Sequence, residues 1–178
     1  RHASGATGRL IDVPVYYGGA DLDEVAVRLD LSVEAVVAWH SQTRWTAAFA
    51  GFAPGFVYLV NDSPVRVPRR ASPRTSVPPG SVALADNYSA IYPRSSPGGW
   101  QLIGTTSVSL WDETLADPAL IHPGDRVRFT AQPPQIRLTA PRTPTAVPPS
   151  SGDVSPGLRV IHPGVSATVQ DAGRAGYA

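Results

Sequence analysis

The residues best suited to chemistry lie in three short stretches that together are rich in glycine, proline and aromatic rings. These stretches are Gly51–Leu59, Ser72–Gly80 and Ile91–Trp100. Glycine permits tight backbone turns, proline fixes a backbone torsion, and aromatic rings supply large rigid apolar surfaces. The combination predicts a preorganised rim on a β scaffold, able to hold a small molecule.

A cluster of arginines adjoins these stretches. Arg66, Arg69, Arg70 and Arg74 fall within a single short loop. A guanidinium binds carboxylate or phosphate through a planar fork, so the cluster could capture an anionic substrate or an acidic partner. Alternatively, the arginines lie on a solvated loop and balance local acids. Arg74 is the arginine that we expect to contribute to binding.

His40 is the candidate catalytic residue, because the ordinary pKa of histidine lies near neutrality and suits a general acid or base. It could equally cap the end of a helix. No nucleophile stands in a recognisable frame with it, so the sequence does not support a catalytic triad. His122 and His162 lie in Pro-Gly turns and lack the spacing of metal ligands, so no metal site is expected.

Composition excludes several classes of function. The chain has 178 residues, a net charge of +1 and no cysteine, so disulfides, thiol catalysis and a general field for nucleic acid or anionic lipid are not expected. There is no Walker or dinucleotide loop, and no cofactor is expected to bind this chain itself. No apolar run approaches the roughly 18 residues that span a bilayer, so we expect no membrane partner and a cytoplasmic location.

The elements that must position these residues are mostly β. The 19 prolines and 16 glycines favour short strands and tight turns over long helices. Helical spacing predicts a pair of short helices, one over 21–29 and one from the N-cap Ser32 to about His40. Strands are predicted over 9–17, 46–50, 57–60, 81–85, 100–103, 107–111 and 126–130.

A small barrel with the helical pair packed against it satisfies this pattern, because closure removes vulnerable strand edges. The helical pair could also suggest a helix-turn-helix, but its second helix carries no Arg or Lys before Arg44, so no nucleic-acid partner is expected. The barrel is predicted over residues 1–135. A Pro-rich linker is predicted over 136–157 and the start of a second β domain over 158–178.

Ordered motifs over residues 9–130 resemble one family, the allophanate hydrolase subunit 1 family, also called the KipI family, which includes the B-type subunits of 5-oxoprolinase. The motifs are Gly51–Leu59, Pro68-Arg69, Ser72–Thr75, Gly80–Val82, Ile91–Pro93, Ser96–Trp100, Leu102–Gly104 and Pro123–Asp125. The resemblance implies a cyclophilin-like β-barrel. Residues 160–177 resemble the opening of the companion subunit 2 family, called KipA or the C-type subunits of 5-oxoprolinase, which implies a fusion of both.

The resemblance implies a non-autonomous subunit of an ATP-dependent 5-oxoprolinase-type complex that hydrolyses a small lactam or amide. Its pocket, shared with the subunit 2 domain, would be lined by Phe52, Phe56, Tyr58, Arg74, Tyr92 and Trp100. Two other settings stay open, the carboxyltransferase region of a biotin-dependent urea carboxylase-like enzyme and an inhibitor of a histidine kinase. ATP or biotin would then come through partners, either a lactam-opening subunit or a biotin carboxylase, and the fragment alone is not expected to be active.

The chain departs from the family pattern at the rim. Tyr88-Ser89-Ala90 stands where the family usually has Gln-Thr-Gly, and Gly104–Ser107 stands where it usually has Gly-Arg-Thr-Pro. An amide and a guanidinium are therefore missing from positions that could orient a substrate, and the identity of the substrate stays open.

Overall fold

The computed structural model describes residues 8–133. It has nine strands and two helices, in the order β1 (Leu10–Tyr17), α1 (Leu22–Leu29), α2 (Val33–Gln42), β2 (Trp45–Ala50), β3 (Val57–Val60), β4 (Arg74–Val77), β5 (Ser81–Ala85), β6 (Tyr88–Ile91), β7 (Ser96–Gly98), β8 (Gln101–Thr105) and β9 (Arg126–Ala131). The linker predicted over 136–157 and the second domain predicted over 158–178 lie outside the described residues.

Seven strands close into a barrel in the order β1-β8-β5-β6-β3-β2-β9, and β4 and β7 form a separate two-stranded ribbon. The barrel is closed by β1, which pairs with β9 in parallel register from Leu10 opposite Arg126 to Val15 opposite Ala131. Closure leaves every barrel strand with two neighbours and no free edge. The predicted mainly β barrel with a helical pair is therefore confirmed.

The main core fills the barrel interior. Alternate residues point inward, such as Val13 and Val15 of β1 and Val127 and Phe129 of β9. The helices add apolar side chains to the same core, because their apolar residues recur at helical spacing along one face. The Ser32 hydroxyl accepts a hydrogen bond from the Ala35 N–H at 3.1 Å and so fixes the start of α2, as predicted.

A second apolar cluster lies on the outer face of β3, β5, β6 and β8. In β5, Val82 and Leu84 belong to the interior core, whereas the alternating Ala83 and Ala85 belong to the outer cluster. Val77 of the β4–β7 ribbon is also part of this outer cluster. The ribbon therefore packs on the outside of the barrel wall.

Two features of the sequence-based prediction need correction. The strand predicted over 107–111 is wrong, because that segment is a loop in which Trp111 alone forms an isolated bridge with Ala119. Three short strands, β4, β6 and β7, were not predicted, since each spans only three or four residues and β7 contains a proline. Within residues 8–133, no helix has the length and hydropathy needed to cross a membrane.

Candidate functional site

Seven aromatic side chains form a continuous layer on the outer cluster, which we call the outer aromatic layer. They are Phe49, Phe52, Phe56, Tyr58, Tyr88, Tyr92 and Trp100. Phe56 lies at its centre, with ring centroids 5.1 Å from Phe52, 5.3 Å from Tyr92 and 5.7 Å from Trp100. These contacts are edge-to-face, the geometry that aromatic quadrupoles favour. The aromatic rings of Gly51–Leu59 and Ile91–Trp100 thus meet in space, and Val77 of Ser72–Gly80 belongs to the same outer cluster.

The layer has a buried base and an exposed front. Phe56, Tyr92 and Trp100 retain only 2–4% of their surface, whereas Phe52 is 59% exposed. Tyr58 lies between these extremes, half-buried. Phe52 also has a φ of +69°, an uncommon conformation for a residue with a bulky side chain. The backbone therefore holds an aromatic ring outward on a layer that is otherwise packed.

A cavity of about 300 Å³ opens beside the layer at Tyr92. Its lining includes the hydroxyl-bearing residues Thr106, Ser107 and Ser109, together with Gly80. Gly80 has a φ of +77°, and a Cβ there would lie 2.2 Å from the Thr106 carbonyl oxygen. Only glycine permits this close approach of two loops. The sequence did not indicate these hydroxyls, although the departure at Gly104–Ser107 marks the same loop.

Tyr92 links the cavity to the aromatic layer. Burial raises the pKa of its phenol, while a hydrogen bond from the Trp100 backbone and the charges of Arg69 and Arg74 act in the opposite direction. A Cβ on Gly98 would lie 2.2 Å from the Tyr92 hydroxyl oxygen, so this hydroxyl sits directly against the β7 backbone. The phenol is therefore neutral near pH 7 and is held in one position.

Arg74 is not a free group on the rim. Its two terminal nitrogens donate to the Asp21 carboxylate at 2.9 and 2.7 Å, and Arg70 donates to the same carboxylate at 2.6 Å. The Asp21 carboxylate also accepts the Leu102 N–H at 2.7 Å. Asp21 is the N-cap of α1 and is only 2% exposed, so the structure places Arg74 in a mostly buried ion network. Arg74 therefore anchors the ribbon to α1 and β8.

The pKa of Asp21 reflects this network. Burial raises the pKa, but the hydrogen bonds from Arg74 and Leu102 and the charges of Arg74 and Arg70 outweigh burial and hold it below its ordinary value. Asp21 was not singled out from the sequence. Its partner Arg74 lies 53 residues further along the chain, so no local pattern joins them.

The remaining arginines of the loop also have defined partners. Arg66 forms an exposed ion pair with Asp86 at 3.2 Å, and the Arg69 guanidinium lies 5.8 Å from the centre of the Trp100 ring. The alternative interpretation, a solvated loop whose arginines balance local acids, fits the exposed pair of Arg66 and Asp86. In contrast, Arg70 and Arg74 pair with the buried Asp21, which lies 49 and 53 residues away in the sequence. Arg69 alone belongs to the outer aromatic layer, through a cation–π contact.

His40 lies in the interior core and has no exposed surface. Its Nδ1 lies 2.7 Å from the Tyr17 hydroxyl, its Nε2 lies 3.0 Å from the Ser89 hydroxyl, and its ring stacks on Phe129 at 4.4 Å. Burial lowers its pKa from 6.5 to about 3, so the ring is neutral near pH 7. The structure thus gives His40 a packing and hydrogen-bonding role, and catalysis by His40 stays a prediction that requires the barrel to open.

A protein-family model described as "Carboxyltransferase domain, subdomain C and D" matches residues 1–121. Because this match covers more than half of the 178 residues, the chain belongs to that family.

Two curated relatives are similar in sequence to this chain. The chain is 48% identical over 128 residues to the B-type subunit of 5-oxoprolinase from Escherichia coli O157:H7, covering 70% of this chain and 59% of that protein. The protein of the same name from Bacillus subtilis is 43% identical over 125 residues. This match covers 68% of the chain and 52% of the relative. The chain thus spans little more than half the length of these relatives. The predicted subunit 1 family is confirmed.

Solved structures agree on the fold. A conserved uncharacterized protein from Pyrococcus horikoshii superposes with a TM-score of 0.66 at 38% identity, covering 70% of this chain and 59% of that one. The urea amidolyase of K. lactis superposes with a TM-score of 0.60 at 20% identity. This superposition covers 70% of this chain and 10% of the urea amidolyase, and at this identity it shows the fold alone.

Proposed function

We propose that this chain is a non-autonomous part of a 5-oxoprolinase-type complex, and that its outer aromatic layer and Tyr92 cavity form one wall of a pocket for a small lactam or amide. The observation that carries this proposal is the exposed ring of Phe52, held outward above a buried aromatic base beside a hydroxyl-lined cavity. The identity to proteins named as B-type subunits of 5-oxoprolinase supports the choice of complex.

The wall suits binding better than bond cleavage. Aromatic faces pack on a planar amide or lactam ring, and the hydroxyls of Ser107 and Ser109 can hydrogen-bond its carbonyl and N–H. His40 is the one described histidine paired with a serine hydroxyl, and solvent does not reach it. Activation of the amide, with ATP, is therefore assigned to partner subunits.

A subunit 2-type domain is the proposed second wall of the pocket. Phe52 and Phe49 present exposed aromatic rings at the front of the layer, at 59% and 45% exposure. Exposed rings of this kind, clustered on a rigid base, are typical of binding surfaces. A partner that covers them would bury apolar surface and enclose the Tyr92 cavity from solvent.

The test is reconstitution of the chain with a subunit 2 protein and a lactam-opening subunit, followed by ATP-dependent release of glutamate from 5-oxoproline. The Phe52→Ala variant is expected to lower binding of the subunit 2 protein by about tenfold or more, as loss of a central aromatic contact does, and to lower turnover with it. Val27→Ala is the matched control, because Val27 is 81% exposed on α1. Equal binding and turnover in both variants would refute the proposed wall.

A second candidate function is carboxyl transfer in a biotin-dependent enzyme. The description of the matching family model favours it, and the fold shared with a urea amidolyase is compatible with it. In this setting the same wall would receive a carboxylated biotin and a small amide such as urea. Reconstitution with a biotin carboxylase and urea discriminates the two. Biotin-dependent carboxylation without ATP-dependent lactam opening would select carboxyl transfer.

A further inference from the structure

A larger cavity, about 500 Å³, lies at the end of α2 and is lined by residues that the proposed function does not use. We call it the arginine groove. Its lining includes Leu10, Ser41, Thr43, Arg44, Arg126 and Arg128. The volume falls in the range of small-molecule sites.

The fold brings these guanidiniums together from distant parts of the sequence. Arg126 and Arg128 alternate with the buried Val127 along β9, so both point away from the barrel interior. Leu10 of β1 is the register partner of Arg126. Arg44 reaches the same groove from the connection between α2 and β2.

Two of the three guanidiniums carry charge that no carboxylate of the described residues offsets. Arg128 is paired with Asp12 through both of its carboxylate oxygens. In contrast, neither Arg44 nor Arg126 has an acidic partner within 4.0 Å among residues 8–133. Within the same range, no acidic residue lines the groove. The groove therefore combines positive charge with a concave surface.

The end of α2 does not cancel this charge. Carbonyls at a helix C-terminus repel anions when they are unpaired. Here the Trp39 carbonyl accepts from the Thr43 N–H at 3.0 Å and the Thr43 hydroxyl at 2.6 Å, and the His40 carbonyl accepts from the Trp45 indole N–H at 3.0 Å. The Ser41 hydroxyl donates to the Val37 carbonyl at 2.8 Å. These bonds occupy the Trp39 and His40 carbonyls, and the formal charges of Arg44 and Arg126 exceed the partial charge that the remaining carbonyls of the helix end contribute.

We propose that the arginine groove binds a small-molecule polyanion, whose phosphate or carboxylate groups pair with Arg44 and Arg126 and whose short apolar part packs on Leu10. A planar guanidinium fork suits both kinds of oxyanion. Arg128 adds no net charge to the site, because Asp12 already offsets its guanidinium. Leu10 is 52% exposed and supplies the apolar contact. The site uses none of the residues of the outer aromatic layer or the Tyr92 cavity.

Calorimetric titration of the full chain tests the proposal, with pyrophosphate, citrate, inorganic phosphate and phenyl phosphate as probes at constant ionic strength. Each guanidinium is expected to contribute about tenfold in affinity, since charge-assisted hydrogen bonds are the strong ones. Arg44→Gln with Arg126→Gln should therefore weaken binding about a hundredfold. Arg28→Gln is the matched control, because Arg28 is an exposed arginine that pairs with Glu24 on α1.

Each outcome of the titrations either supports or refutes the polyanion site. Tighter binding of pyrophosphate assigns the groove to phosphates, and tighter binding of citrate assigns it to carboxylates; both support a polyanion site. Tighter binding of phenyl phosphate than of inorganic phosphate supports the contact with Leu10. If no probe binds to the native chain at about 10 mM, weaker than the affinity of typical small-molecule sites, or if the double variant binds like the Arg28→Gln control, the groove is not an anion site.

Discussion

Replacement of Asp21 is the most direct way to test how the candidate wall is built. The Asp21→Asn variant keeps the shape of the side chain but removes the charge that offsets Arg70 and Arg74. Three side-chain hydrogen bonds from guanidiniums end on this carboxylate, and Asp21 is only 2% exposed. Breaking a buried pair by removing one partner typically costs about 3–5 kcal/mol.

The stability lost in the Asp21→Asn variant is expected to lie below the top of that range. The side chains of Arg70 and Arg74 remain 29% and 23% exposed, so water can solvate them once the carboxylate is gone. The amide oxygen of an asparagine can still accept the Leu102 N–H. We therefore expect a loss of about 2–4 kcal/mol in the free energy of unfolding.

The assay is equilibrium unfolding in urea at pH 7, with Asp12→Asn as the matched control. Asp12 forms an ion pair of the same type with Arg128, but its side chain is 51% exposed, so its loss should leave the midpoint nearly unchanged. The pKa of Asp21 is below its ordinary value, so its stabilising effect is present at neutral pH and disappears as the pH falls below about 4. Equal midpoints for the two variants at pH 7 would refute the assignment of Asp21 as the anchor.

Three further predictions follow from the same contacts. The pKa of His40 falls to about 3 on folding, so the unfolded chain binds more protons than the folded chain between pH 6.5 and 3. The free energy of unfolding should therefore fall with decreasing pH by up to about 1.4 kcal/mol per pH unit in this window. If urea unfolding of His40→Gln between pH 4.5 and 6.5 shows the same dependence of this free energy on pH as the native chain, the prediction is wrong. Gly80→Ala should destabilise the chain by about 2–3 kcal/mol more than Gly124→Ala, since both have positive φ but only Gly80 meets the Thr106 carbonyl, and thermal unfolding that ranks them equally would count against the cavity geometry. Phe56→Ala should cost about 3–5 kcal/mol and Phe52→Ala much less, because Phe56 is 2% and Phe52 59% exposed; similar unfolding midpoints would show that the layer has no buried base.

Local chemistry allowed the β scaffold to be predicted from sequence. The bounds of the strands over Val57–Val60 and Ser81–Ala85 were predicted correctly, because each is a short, largely apolar run that begins shortly after a glycine and precedes an Asn and Asp pair. The Ser32 cap likewise marked the start of α2. The loop over 107–111 was mistaken for a strand, since its alternation of apolar and polar residues has no partner strand to pair with among the described residues.

The candidate site was harder to predict because its contacts are long-range. Aromatic residues in two of the three stretches indicated a cluster, but nothing in the sequence separates the buried Trp100 from the exposed Phe52. That difference depends on which face of the barrel wall each side chain occupies and on the ribbon above it. The arginine groove was missed for the same reason, because Leu10 and Arg126 become neighbours only when β1 and β9 close the barrel.

These contacts assign the arginine loop a positioning role that the sequence alone did not reveal. Asp21 binds Arg70 and Arg74 on one side and the Leu102 backbone on the other, so it joins the loop and ribbon to the barrel wall. Arg70 also donates its backbone N–H to the Gly99 carbonyl at 2.8 Å, directly before Trp100. The base of the outer aromatic layer is thus fixed by charge from the side of α1, whereas its front at Phe52 has no such tie within residues 8–133. A partner that docks at Phe52 would therefore meet a rigid base, and it could enclose the Tyr92 cavity without disturbing the ion network that supports it.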